Sequence, residues 1–371
     1  MKDYIETLSS LRSADNFRTI PSDTSDTDVV DLSTNDYLGI GADSALKKEF
    51  LEYYGADLPS FTSSASRLLA SRQKEYGELE DVLQSLYGRR VLLFNSGYHA
   101  NVGAVSALVS LGRTLVVADR LVHASIIDGI VLGRSAFERF RHNDVDHLRR
   151  ILEKKAGDYD RVLVVTESVF SMDGDMAPLE EIAALKHSFR NMLLYVDEAH
   201  AFGVLGRSGL GLAVDIPEVD FIIGTLGKAA ASMGAFIAVG NVDMRDFLIN
   251  KTRSFIFSTA LPPVNCAWSR FVIDRIVGMD AGRRRLRKMA ELLCKATGST
   301  HVSHIQPLVT GSSSSALELS AVLLEEGFKV LPIRTPTVPP GTERLRFSLS
   351  LDIKEDDIVR LVNSKSLLSC R

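Results

Sequence analysis

Met192-Leu193-Leu194-Tyr195-Val196 runs straight into Asp197-Glu198-Ala199-His200, and Phe221-Ile222-Ile223 leads to Thr225-Leu226-Gly227-Lys228. Short, continuously apolar runs closed by polar residues are the pattern of strands buried on both faces of a parallel sheet. The separation of 31 positions (228 − 197 = 31) leaves room for one helix-and-strand crossover. Asp197 and Lys228 can therefore converge from separate strand ends.

Working outward, Val91-Leu92-Leu93-Phe94, Leu115-Val116-Val117-Ala118 and Val162-Leu163-Val164-Val165 repeat the pattern, with amphipathic segments between them from about Leu79 onward. This predicts an α/β fold with a mainly parallel sheet flanked by helices. Such sheets bind ligands beyond the carboxyl ends of their strands, and the reactive residues collect there. Asn95-Ser96-Gly97-Tyr98 follows one run, Asp119 with His123 the next, then Glu167 through Ser171, Asp197 with His200, and Thr225 through Lys228. Five strand ends are expected to face one crevice. Ser96-Gly97 also precedes a helical pattern beginning near His99, where free amides form a phosphate site. Taken alone, that dipeptide reads first as an ordinary capped strand–helix turn.

The length of 371 residues suits two domains. We expect an N-terminal arm over 1–40, a large domain over 41–270 and a C-terminal domain over 271–371. The arm carries the turn-prone Asp23-Thr24-Ser25-Asp26-Thr27-Asp28 before Val29-Val30, and the pattern changes after Pro262-Pro263. Beyond it come a strand near Leu345–Leu349 and a serine tract, Ser312–Ser315, that reads as a loop. A hydrophobic fraction of 45% with 24% charged residues describes a folded globular chain.

The formal charge of −4 and a pI near 6.1 offer no field to attract nucleic acid or an anionic membrane. Arg283-Arg284-Arg285-Leu286-Arg287-Lys288 reads first as a solvated helix face and only second as a phosphate patch. Cys266, Cys294 and Cys370 form no CxxC pattern, so neither a disulfide framework nor a metal site is expected, and a reducing cytoplasm fits. Met1–Ser10 has no apolar core, and no apolar run reaches the roughly 18 residues of a membrane-spanning helix.

Asp197-Glu198-Ala199-His200 spells a helicase box, but the phosphate-cradling partner is missing. The pattern G-x-x-x-x-G-K-[ST] needs Gly at 222 and Ser or Thr at 229, where the chain has Ile222 and Ala229. Asp197 with Lys228 suits pyridoxal 5'-phosphate instead. That cofactor needs a lysine amine for a Schiff base and a carboxylate to keep its ring nitrogen protonated, which makes the ring an electron sink.

With these residues in view the chain resembles the α-oxoamine synthases, fold-type I enzymes that use pyridoxal phosphate to condense an amino acid with an acyl-CoA thioester, releasing carbon dioxide. The resemblance covers nearly the whole chain. It rests on Asn35-Asp36-Tyr37-Leu38-Gly39, Asn95 through Asn101, Asp119 through Ser125, Val169 through Asp175, Asp197 through His200 with Gly203, Gly206, Gly209 and Gly211, and Thr225 through Lys228. It implies the fold-type I transferase architecture with a smaller C-terminal α/β domain, and a homodimer with shared active sites.

By resemblance, Lys228 forms the Schiff base and shuttles the α-proton, Asp197 pairs with the ring nitrogen, and His123 stacks on the ring. His200 and Ser171 meet the ring hydroxyl. Ser96, Gly97, Tyr98 and Thr225 hold the phosphate, completed by Ser258 and Thr259 of a second subunit. Arg346 meets the amino-acid carboxylate, with Arg18 and Asn35 as further substrate residues. The stretch Ile333 through Arg346 and His142-Asn143-Asp144 look most like the branch that joins L-alanine to a pimeloyl thioester, carried on CoA or acyl carrier protein. Branches taking glycine or serine, and a non-catalytic scaffold that retains the fold, are the alternatives. Two stretches depart from the family's glycine-rich pattern, Thr62-Ser63-Ser64-Ala65-Ser66-Arg67 and Ala229-Ala230-Ala231-Ser232 before Gly234. Added side chains there bear on the fit of the acyl chain.

Overall fold

A computed structural model describes residues 2–20, 29–71 and 73–369. The acidic stretch Asp23–Asp28 and Cys370 lie outside the described residues. In chain order the strands are β1 (Val30–Asp31), β2 (Arg90–Phe94), β3 (Thr114–Asp119), β4 (Ala136–Phe140), β5 (Arg161–Glu167), β6 (Met192–Asp197), β7 (Phe221–Thr225), β8 (Ala235–Val239), β9 (Ile305–Val309), β10 (Phe328–Lys329), β11 (Leu331–Ile333) and β12 (Arg344–Ser348). They belong to two compact units, which are described in turn.

The first unit comprises Leu38–Phe170 and Met176–Arg283 and holds a seven-stranded sheet in the order β2-β8-β7-β6-β5-β3-β4. β8 is antiparallel to both β2 and β7, and every other pairing is parallel. Six strands therefore end at one edge. The five apolar runs read from the sequence form β2, β3, β5, β6 and β7. Two further strands complete the sheet: β4 is a partly exposed edge strand that carries Glu138 and Arg139, so it shows no apolar run, and β8 is wholly buried.

Ser96 starts the helix Gly97–Leu108, its Oγ accepting from the His99 amide at 3.2 Å. That helix packs closely on Ala124–Gly133: a Cβ at Gly129 would meet Asn101 O at 3.1 Å, and one at Gly133 would meet Val109 Cγ2 at 2.1 Å. Val105, Val116, Leu163 and Ile223 are fully buried in the core beneath. This packing holds the first turn of the helix at the strand ends.

The second unit comprises the described residues within Met1–Tyr37, Ser171–Asp175 and Arg284–Arg371. It holds the antiparallel sheet β11-β12-β9 and the parallel pair β1–β10. The strand expected near Leu345–Leu349 is β12. The serine tract corrects a loop expectation. Ser312 caps a helix over Ser313–Glu325, its Oγ accepting from the Ser315 amide at 3.1 Å, so the hydroxyls begin the helix. No helix among the described residues is long and apolar enough to cross a membrane.

Candidate active site

β6 ends at Asp197 and β5 at Glu167, which lie side by side in the sheet register. β7 ends at Thr225, three residues before Lys228, and β3 ends at Asp119, four before His123. Gly97, Tyr98, His123, Asp197, His200, Thr225 and Lys228 line one cavity of about 160 Å³ together with Asn101, Glu167 and Ala199. Ser96 lies at its edge as the helix cap.

Asp197 is 5% exposed and held from two sides, by Asn101 Nδ2 at 2.7 Å and by the Ala199 amide at 2.9 Å. Lys228 Nζ lies 2.7 Å from His200 Nε2. His123 Nδ1 is 2.7 Å from Ser125 Oγ, and the His123 amide donates to Glu167 Oε1 at 2.5 Å. Tyr98 OH donates to Asp128 Oδ2 at 2.5 Å.

Burial, and then the neighbouring Asp197 carboxylate, push Glu167 well above the usual carboxylate range. Glu167 therefore holds its proton more tightly than a free glutamate does. Burial lowers the pKa of His123 against the opposing pull of Asp197, and the repulsion of Lys228 adds to the lowering. Its ring is a neutral imidazole. Behind the cavity, burial raises Glu198 to about 7, although Ser168 Oγ donates to it at 2.7 Å and the Ala213 amide at 2.5 Å.

These residues fit pyridoxal phosphate. Lys228 supplies the amine, and Asp197 supplies a carboxylate whose orientation is set by two donors. At Gly97 a Cβ would find only Thr225, at 3.8 Å, so the space over the first turn is open, and the turn's amides point where an anion is favoured. Thr225 Oγ1 donates to Gly234 O at 3.2 Å and accepts from the Gly227 amide at 3.3 Å.

The remaining predicted residues have partners within their own units. Asn95 Nδ2 donates to Thr259 O at 2.6 Å, Thr259 bridges Ser66, and Ser258 lines a small crevice with Arg67 and Asn95. Within the second unit, Arg346 on β12 gathers Ser171, Asn35 and Tyr37. Its Nε donates to Ser171 O at 2.5 Å, Nη1 to Ser348 Oγ at 2.6 Å, and Nη2 to Asn35 Oδ1 at 3.2 Å and Tyr37 OH at 3.3 Å. Arg18 is separate from that group and donates to Thr337 Oγ1 at 3.2 Å.

In the basic run Arg284, Arg287 and Lys288 are exposed, as a solvated helix face requires, while Arg283 and Arg285 bond backbone carbonyls. Arg283 donates to Ile276 O at 2.6 Å and Val277 O at 3.1 Å in the first unit, and Arg285 to Leu351 O at 2.9 Å in the second. His142-Asn143-Asp144 forms a turn whose His142 Nδ1 meets Asp119 Oδ1 at 2.9 Å and whose Asp144 caps the helix Val145–Lys155.

Sequence reasoning missed Asn101 as a site residue and placed Glu167 at the crevice without a role. Glu167 was legible as a strand-end acid. Asn101 was not, because one turn of helix separates it from the phosphate motif.

The comparisons agree with this geometry. The family model of aminotransferases class I and II matches residues 27–364. A protein of Neisseria meningitidis serogroup A named "Putative 8-amino-7-oxononanoate synthase" is 44% identical over 96% of this chain and 98% of its own length. One of the same name from Pasteurella multocida is 44% identical over 97% of each. Among solved structures, a serine palmitoyltransferase from S. paucimobilis with a bound PLP–myriocin aldimine superposes with a TM-score of 0.87 at 28% identity, over 99% of this chain and 96% of that one. The 8-amino-7-oxononanoate synthase of Francisella tularensis gives 0.73 at 26% identity, over 92% and 96%.

Fold and site together define a fold-type I enzyme that uses pyridoxal phosphate. The chain belongs to the aminotransferase class I and II family, within its α-oxoamine synthase branch, and is a pyridoxal-phosphate-dependent acyltransferase.

Proposed function

We propose that the enzyme condenses L-alanine with a pimeloyl thioester to give 8-amino-7-oxononanoate, carbon dioxide and the free thiol, a step of biotin biosynthesis. The observation that carries the chemistry is the convergence of Lys228, Asp197 and His123 on one cavity. Relatives 44% identical over nearly the whole chain, with their printed name, support the choice of substrates.

When bound, pyridoxal phosphate supplies an electron sink for the carbanion formed at the amino-acid Cα and for loss of carbon dioxide. We assign Lys228 to hold the cofactor, to accept the α-proton of alanine and to return a proton to the product. Asp197, steadied by Asn101, is assigned to the ring nitrogen, His123 to the ring face, and His200 with Ser171 to the ring hydroxyl. The amides of Gly97 and Tyr98, with Ser96 and Thr225, are assigned to the phosphate, and Ser258 and Thr259 of a second copy to its far side.

Arg346 is assigned to the alanine carboxylate. Its Nη2 rests on two long neutral contacts, which a carboxylate outcompetes through charge-assisted bonds. Arg18 and Asn35 are further substrate residues in this reading. A monomeric sedimentation profile with full activity would exclude the shared site.

A second reading, condensation of L-serine with a long-chain thioester, draws on the likeness to serine palmitoyltransferase. The near-ultraviolet and visible spectrum of cofactor-supplemented protein, titrated separately with L-alanine, glycine and L-serine, separates them. A selective change with alanine supports the proposal, and pimeloyl-CoA and pimeloyl-carrier-protein assays then identify the donor. A selective change with serine or glycine overturns it.

A further inference from the structure

A directional chain of hydrogen bonds runs beneath the cavity from Asp197 to His123. The Asn101 side chain presents its NH2 group to Asp197 Oδ2, at 2.7 Å. The Asn101 carbonyl then faces Tyr195 OH, which donates to it at 2.7 Å. The second Nδ2 hydrogen of Asn101 reaches Ser125 Oγ at 3.0 Å, which makes that oxygen an acceptor and turns its own hydrogen toward His123 Nδ1, 2.7 Å away. An independent contact requires the same polarity. The Ser125 backbone amide, which can only donate, also points at His123 Nδ1, at 3.3 Å.

We infer that Asn101 and Ser125 are positioning residues that fix His123 as the tautomer protonated at Nε2, with Nδ1 as acceptor, and so set which ring nitrogen offers a hydrogen to whatever occupies the cavity. Both residues are buried, Asn101 at 2% and Ser125 at 0% exposure, so water does not compete for these bonds. The groups that act on the ring are consistent with a neutral imidazole: Asp197 and Asp128 on one side of the balance, Lys228 and burial on the other. Glu167 accepts from the His123 backbone amide through its Oε1. The role in catalysis rests on the reading that His123 faces the cofactor, whereas the tautomer itself is a property of the cofactor-free chain.

The test is 15N NMR of full-length, cofactor-free protein carrying 15N-histidine, with the His123 signals assigned by their loss in His123→Asn. The expected result is a single tautomer, Nε2 protonated and Nδ1 bare, at neutral pH. Ser125→Ala is expected to mix the tautomers and shift the His123 titration midpoint upward, because the donor that stabilised the bare Nδ1 is gone. Ser125→Thr, which keeps the hydroxyl, is expected to restore both, and Asn101→Ala to mix the tautomers less than Ser125→Ala does.

Protonation at Nδ1 in the wild type overturns the inference outright. A Ser125→Ala protein that melts normally yet keeps the wild-type tautomer and midpoint removes Ser125 from the role, and the same result in Asn101→Ala removes Asn101. If the variants fail to fold, the wild-type spectrum still decides the tautomer. Pyridoxal phosphate binding, followed separately by absorption, distinguishes failure of the cofactor reading from failure of this one.

Discussion

The cavity at the ends of β5, β6 and β7 and the cluster around Arg346 on β12 handle charge in opposite ways. In the cavity two acidic side chains stand side by side: Asp197 takes two donors, while burial pushes the pKa of Glu167 upward. Around Arg346, a cation is buried among neutral oxygens alone, from Ser171, Ser348, Asn35 and Tyr37. The first arrangement is complete before any ligand arrives. The second contains a charge whose strongest partner, a carboxylate, is not among those four oxygens. On the proposed function, the difference separates a region for chemistry from a region for recognition.

Lys228→Ala tests the first region most severely. Removing the amine proposed to transfer the proton is expected to lower the condensation rate by at least ~10²–10⁴-fold, with loss of the Schiff-base absorption band. Residual activity near wild type would break the contrast between the two regions.

Glu198→Gln probes the support beneath the cavity through pH. The folded-state value of about 7 lies above the ordinary 4.5, so the folded protein binds this proton more tightly than the unfolded chain. That contribution is complete below pH 4.5 and is lost as pH rises through 7, roughly 3 kcal/mol in all. Denaturant midpoints taken from about pH 5 to about pH 8 are expected to decline in the wild type and to decline less in the variant. Parallel curves would show that Glu198 does not titrate there.

Arg346→Lys tests the second region. Loss of a planar, paired donor to a carboxylate costs about 1.5–3 kcal/mol, read as a roughly 10–100-fold rise in the alanine KM. A fall in kcat at unchanged KM would move Arg346 from recognition to chemistry. Ala231→Gly gives the smallest effect. Ala231 holds φ 44, a left-handed conformation that costs an alanine more than a glycine, so the variant is expected to be about 0.5–1 kcal/mol more stable by thermal melting. Destabilisation would show that the alanine methyl packs usefully beside Lys228.

Much of this was legible in the chain itself. Apolar runs such as Val162–Val165 mark buried strands because a polar side chain inside a sheet covered on both faces costs free energy unless it is hydrogen-bonded. The polar residue that ends each run is therefore conspicuous, and Asp197, Thr225 and Lys228 stand out on that ground. β4 was not legible because an edge strand tolerates Glu138 and Arg139, and the Ser312 tract because a hydroxyl serves a loop and a helix cap equally well.

The sequence by itself determined the strand-end motifs, the lysine–aspartate pair and hence the cofactor, since these depend on local pattern and on chemistry that few residue types can perform. Only the tertiary structure decided that Asn101 grips Asp197 from 96 positions away, that burial raises the pKa of Glu167 beside it, and that Arg346 meets Asn35 and Tyr37 across more than 300 positions. Hydrogen-bond direction and pKa depend on distance and burial, and neither is written in the spacing of residues along a chain.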